Sequence, residues 1–149
     1  MMNGKDSSKK VHRLKVDLEF PFSVIGISSH ENDYRLIWAI NENLNVNFVK
    51  IENFRALDVT GSENEFSRYF FEDPDRYLSL YVLSNRCDNG YLLPEYRMVD
   101  YFLFLKGGTK PGLPEEMATK LKQVEIISTA FPIEHKKIKS LKKLLHLDG

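Results

Sequence analysis

Apolar and polar positions alternate from Val11 to Phe20, with Val11, Arg13, Lys15, Asp17 and Glu19 on one side and Leu14, Val16, Leu18 and Phe20 largely on the other. A period of two with charge on one side predicts a half-exposed strand. A second apolar run, Phe22-Ser23-Val24-Ile25-Gly26-Ile27, follows it. The period then changes. Leu36, Ile37, Ile40 and Leu44 share one helical face, and Tyr34 and Trp38 lie four apart on its shoulder, where they read as core residues before they read as a ligand platform. The spacing predicts a helix over residues 30–43, opened by a Ser28 to Glu31 capping box and closed in the asparagine-rich Asn41–Asn47.

Short β-type segments occupy the middle of the chain. Phe48–Phe54 and Phe66–Phe71 form a first pair, separated by a polar loop containing Gly61. Asp73-Pro74-Asp75-Arg76 reads as a type I turn into Tyr77–Arg86. Asp88-Asn89-Gly90 is the strongest hairpin signal, because Asn and Gly tolerate the positive φ that tight hairpin turns demand. Met98–Lys106 is apolar on both alternating sets, Val99, Tyr101, Leu103 and Leu105 against Met98, Phe102 and Phe104. A strand greasy on both faces is covered on both, so this one is predicted to be central, with a bulge or edge at Pro94.

Leu113, Met117 and Leu121 repeat every four residues behind Pro114, which suits the first helical position. Val124–Phe131 fits helix or strand, and its β-branched run favours a strand, completing a strand–helix–strand unit. A third helix is predicted over Glu134–His146, with Ile138, Leu141, Leu144 and Leu145 inside and Lys136, Lys139 and Lys143 outside. Residues 1–10 read as a loose polar tail and 11–149 as one α+β domain, a mostly antiparallel sheet of five to six strands with three helices packed on it.

Composition adds limits. A chain of 149 residues buries about 68–70% of its unfolded surface and needs no metal or disulfide to hold it. The lone Cys87 cannot form an internal disulfide, and none of His12, His30, His135 and His146 has metal-ligand spacing to another histidine or to Cys87. Twenty-one basic and 21 acidic side chains cancel, so no global field draws in nucleic acid. Locally, Glu52–Asp75 carries seven acids against Arg55 and Arg68, and Glu134–Gly149 carries five lysines against two acids. These read as solvated faces, or else as an electrostatic contact between subunits. With no apolar run near membrane length and no secretory h-region, a cytoplasmic protein is expected.

Candidate chemistry concentrates in Leu93-Pro94-Glu95-Tyr96-Arg97-Met98-Val99-Asp100-Tyr101. Glu95 and Asp100 are a carboxylate pair of the kind that serves as general acid and base where burial separates their pKa values. The competing reading is a polar lock, in which Glu95 takes backbone donors at the Pro94 break and Asp100 pairs with Arg97, Arg13 or Arg35, assisted by Tyr101 or Tyr96. The lock is the favoured reading. Gly107, Gly108, Thr109 and Lys110 stand between a strand and a helix start, where anions can be cradled, but the loop has neither Walker nor G-x-G-x-x-G spacing. Lys136, Lys139 and Lys143 offer a basic face for RNA or an acidic partner, yet a solvated face explains them as well.

Leu93, Pro94, Glu95, Val99, Asp100 and Tyr101 resemble the signature of the bacterial IPExxxVDY-motif family, with Leu93 where the family's name has Ile. Phe22–Ser29 with Asp33–Leu36 is similar to the family's N-terminal block, and Ile138–Leu141 to its C-terminal lysine-serine segment. The resemblance spans most of the chain and implies no activity. The residues point to a non-catalytic protein-interaction module with a protein partner, a homodimer among the possibilities, and with no cofactor, metal or membrane. Two alternatives stay open: a small enzyme using Glu95 and Asp100 on a phosphate-bearing or acyl substrate, and an RNA-associated accessory protein using the C-terminal lysines.

Overall fold

A computed structural model describes residues 20–58, 60–108, 110–139 and 141–149. The expected tail over residues 1–10 and nearly all of the Val11–Phe20 strand lie outside these residues. The first strand is β1 (Phe22–Ser28), followed by α1 (Asp33–Leu44). Next come β2 (Val49–Leu57), β3 (Glu63–Asp73) and β4 (Leu78–Ser84). A small hairpin pairs β5 (Arg86–Cys87) with β6 (Gly90–Tyr91), where the Asp88-Asn89-Gly90 signal placed one. The chain finishes with β7 (Tyr101–Gly107), α2 (Leu113–Lys122) and β8 (Thr129–Ile133). The architecture is α+β. Six strands form one antiparallel sheet in the order β2-β3-β4-β7-β1-β8.

β7 sits inside the sheet between β4 and β1, as its two apolar faces require. Tyr101, Leu103 and Leu105 join the core beneath the two helices, while Phe102 and Phe104 join the core on the opposite face. Val99 and Met98 do not keep the expected alternation. Val99 belongs to the Phe102 side and Met98 is 66% exposed. The cause is local: Pro94–Tyr96 forms a 3-10 turn, the Val99 N–H donates to Tyr96 O, and the strand period begins only at Tyr101. Pro94 therefore opens a turn and makes neither a bulge nor an edge. Val99 lands on Gly26, where a Cβ would stand 3.2 Å from the valine Cγ2.

Several boundaries differ from expectation. The capping box does not form. Asn32 is the N-cap, accepting from the Arg35 N–H, because Ser28 and Ser29 are drawn into bonds with Met98 O and Ile126 O. At the other end Asn45 is left-handed and closes α1 within the predicted asparagine stretch. Asp73 caps a 3-10 turn over Pro74–Arg76, one step longer than a single type I turn. Val124–Ser128 is turn and loop, so the strand that follows α2 starts at Thr129. β8 runs parallel to β7 but with β1 between them, since each pairs antiparallel with β1.

The third helix is absent from the described residues. Its segment is two 3-10 turns, His135–Lys137 and Leu141–Leu144, joined through an extended Ile138. The buried positions explain this. Ile138, Leu141, Leu144 and Leu147 recur every three residues, the repeat that a 3-10 backbone aligns and an α-helix does not. These four side chains cover the sheet face opposite α1 and α2, together with Leu92, Leu93 and Val99.

Candidate functional site

The motif segment is organised by a residue outside it. Asn85 is fully buried one residue past β4. Its carboxamide donates to Tyr96 O at 2.9 Å and to Val99 O at 2.8 Å, and accepts from the Leu93 N–H at 2.8 Å. Its backbone N–H donates to Asp100 O and its carbonyl accepts from Leu92. One amide side chain and its peptide groups thus reach five positions from Leu92 to Asp100. The sequence signal was faint: a single Asn at the end of an apolar strand.

Asp100 accepts from the Ser29 N–H at 2.9 Å and pairs with Arg86 Nη2 at 2.9 Å. Its expected partners are corrected accordingly. Arg97 lies over the Tyr91 ring, Arg35 pairs with Glu31, and Arg13 is outside the described residues. Arg86 wins because β5 departs from the end of β4, alongside β7 where Asp100 precedes Tyr101. The Tyr101 hydroxyl donates to Glu31 O at 2.6 Å, and burial, then the Asp33 and Asp100 carboxylates, push its pKa up to about 12. The Tyr69 hydroxyl donates to Asp33 and is raised further still, again chiefly by burial.

Glu95 is elsewhere. It accepts from the Lys139 N–H at 3.1 Å and ties the C-terminal segment to the motif turn. Asp100 borders an open depression of about 320 Å³ with Glu31, Asp33, Ser67, Ser84 and Arg86, and Glu95 is not among its walls. The two motif carboxylates therefore serve different contacts. General acid–base work by this pair needs both within reach of one substrate, and of the two only Asp100 lines this depression. Among the described residues no three His, Cys, Asp or Glu side chains converge as a metal-binding group.

The glycine loop is shaped by packing. Gly107 has φ 88°, and a Cβ there would stand 2.2 Å from Tyr77 O, so only glycine lets β7 end against β4. The Gly108 N–H donates to that same carbonyl, and Lys110 bonds Glu116 at 2.9 Å in the first turns of α2. The loop's N–H and cation are thus engaged within the fold; Thr109 is outside the described residues. The lysines are not one helical stripe. Lys136 lies 3.6 Å from Glu134, Lys139 is exposed beside Glu95, and Lys143 is half-buried near Tyr91 and Pro94, where burial lowers its pKa.

The acidic and basic stretches meet within one molecule. Arg68, buried on β3, donates to Glu52 O, to Leu147 O at 2.6 Å and to Gly149 O at 3.3 Å, while Arg55 pairs with Glu63 and Glu65. Tyr34 and Trp38, expected in the core, are 68% and 65% exposed. They occupy the shoulder of α1 that turns away from the sheet, because Leu36, Ile37, Ala39 and Ile40 already fill the inner side. Among the described residues no helix is long and apolar enough to cross a membrane. Compared with known proteins, the chain matches no family model and no curated protein.

Proposed function

We propose that this chain is a non-catalytic, cytoplasmic protein-interaction module of the motif family its central segment resembles, and that it self-associates through the outer face of α1. The observation that carries the reading is the outward pair Tyr34 and Trp38. Large aromatic side chains are costly to leave in water and are enriched at the buried centres of interfaces. What selects a second copy as the occupant is the charge around them. Arg35, Trp38 and Glu42 follow the 3–4 spacing of one helical stripe, and all three are exposed.

Two such helices packed antiparallel about a two-fold axis near Trp38 set Arg35 of each copy opposite Glu42 of the other. That is the self-complementarity an isologous contact needs. Among the described residues Glu42 has no ion pair, and Arg35, itself exposed, pairs with Glu31 alone, at 3.3 Å. A helix of 12 residues is about 18 Å long, so the contact is small and its affinity sits in roughly the micromolar range. The test is sedimentation velocity from low to several hundred micromolar protein. Reversible dimerisation that Trp38→Ala weakens supports the reading; a monomer throughout overturns it.

A further inference from the structure

α1 and α2 lie side by side on one face of the sheet and leave a void of about 160 Å³ between them. Its walls are apolar: Ile40, Leu80, Val82, Leu103 and Leu121, joined by the half-buried Phe71 and Met117. Protein cores are close-packed, and an unfilled hole of this size costs stability. An apolar hole of roughly 150 Å³ is large enough to take up a benzene molecule. The ring of Phe48 lies 5.7 Å from that of Phe71 at the same cavity, and the Met117 thioether adds a soft contact of the sort aromatic rings favour.

The lining becomes polar only at Asn45, Asp73, Arg76 and Lys120. Arg76 and Lys120 are about half exposed, so they mark the mouth. Asp73 answers one of these cations at 3.5 Å. The other, Lys120, shares the Glu116 carboxylate with Lys110, which holds it closer, at 2.9 Å against 3.7 Å. The lining itself therefore carries one positive charge more than negative, at the open end of an apolar hole sized for one ring. We propose that this void is a binding site for a small aryl-substituted monocarboxylate, with the ring against Phe71 and Met117 and the carboxylate between Arg76 and Lys120. A single carboxylate matches the one charge left over. The site opens on the inner side of α1 and is independent of self-association through Trp38.

The test uses the 149-residue chain and 3-phenylpropionate, titrated calorimetrically, with octanoate and the neutral 3-phenyl-1-propanol as comparison arms. Saturable binding of 3-phenylpropionate, with the alcohol and the Arg76→Gln/Lys120→Gln variant each weaker by about tenfold or more, is the expected result. Val82→Phe, which fills the void, should abolish binding. The two mouth positions are exposed, so that variant remains informative if Val82→Phe fails to fold. No binding at millimolar 3-phenylpropionate overturns the site. Tighter binding of octanoate overturns the aryl assignment, and undiminished binding by the mouth variant overturns the place of the carboxylate.

Discussion

The Asn85 carboxamide oxygen accepts the buried Leu93 N–H at 2.8 Å while the same group's nitrogen spans Tyr96 O and Val99 O. The three bonds use both amide protons and one oxygen lone pair, so the side chain is matched to a turn that has no regular ladder of its own. A buried peptide group without a partner is costly, and Leu92, Leu93 and Val99 are all enclosed.

Asn85→Ala leaves the Leu93 N–H and Val99 O unanswered, and Tyr96 O with the Val99 N–H alone, and should destabilise the fold by about 3 kcal/mol. Asn85→Asp keeps the acceptor but sets a carboxylate against two carbonyl oxygens, so it should be no milder at neutral pH. Urea unfolding of the two variants checks both expectations. Loss of under about 1 kcal/mol in either would mean that the turn holds without the amide.

Asp100 and Arg86 should respond unequally to truncation. The Arg86 side chain is 59% exposed and that of Asp100 only 16%. Arg86→Ala removes a screened pair and should cost about 1 kcal/mol or less. Asp100→Ala also strands the N–H of buried Ser29 and should cost about 2–3 kcal/mol. The reverse order in equilibrium unfolding would contradict the contact pattern.

Alkaline pH should weaken the fold through Tyr101. Its folded pKa, raised to about 12 by burial and then by neighbouring carboxylates, lies above the ordinary value of 10.0. The unfolded chain therefore loses that proton first. Stability from this group is complete below pH 10 and falls as pH climbs towards about 12, by up to roughly 3 kcal/mol. Tyr101→Phe should lose about 1 kcal/mol at neutral pH, from its bond to Glu31 O, and show a flatter decline above pH 10. Chemical denaturation across pH 8 to about 11.5 reads the slope. Tyr69, raised in the same direction, keeps some decline in the variant.

Arg68 fastens the C-terminal segment to β2 and β3 through carbonyls of Glu52, Leu147 and Gly149. Arg68→Ala should cost about 3 kcal/mol and loosen residues 141–149, which limited proteolysis would show as earlier cutting there. A tail as protected as in the parent chain would assign its anchoring to Leu141, Leu144 and Leu147 alone.

Local signals made much of this architecture legible. Two-sided apolarity marked β7 as interior, and Asn89-Gly90 marked the small hairpin, because each is written in adjacent residues. The third helix misled because buried residues at 138, 141 and 144 fit repeats of 3 and 3.6 almost equally over so short a span, and only Leu147 separates them. Tyr34 and Trp38 misled for a related reason: residues on the shoulder of a stripe turn in or out according to what the sheet leaves uncovered. The roles of Asn85 and Arg86 depend on which strand ends meet, and no local pattern carries that. Glu95 and Asp100 are close in sequence, yet the 3-10 turn at Pro94 sends them to different partners.

Self-association through α1 is tested most directly by exchanging its two charges. Sedimentation equilibrium of Arg35→Glu, Glu42→Arg and the double variant should show each single change weakening the dimer by about tenfold and the double change restoring it, since a two-fold contact sets one residue against the other across copies. A parent chain that stays monomeric, or a double variant no stronger than the singles, would contradict the account.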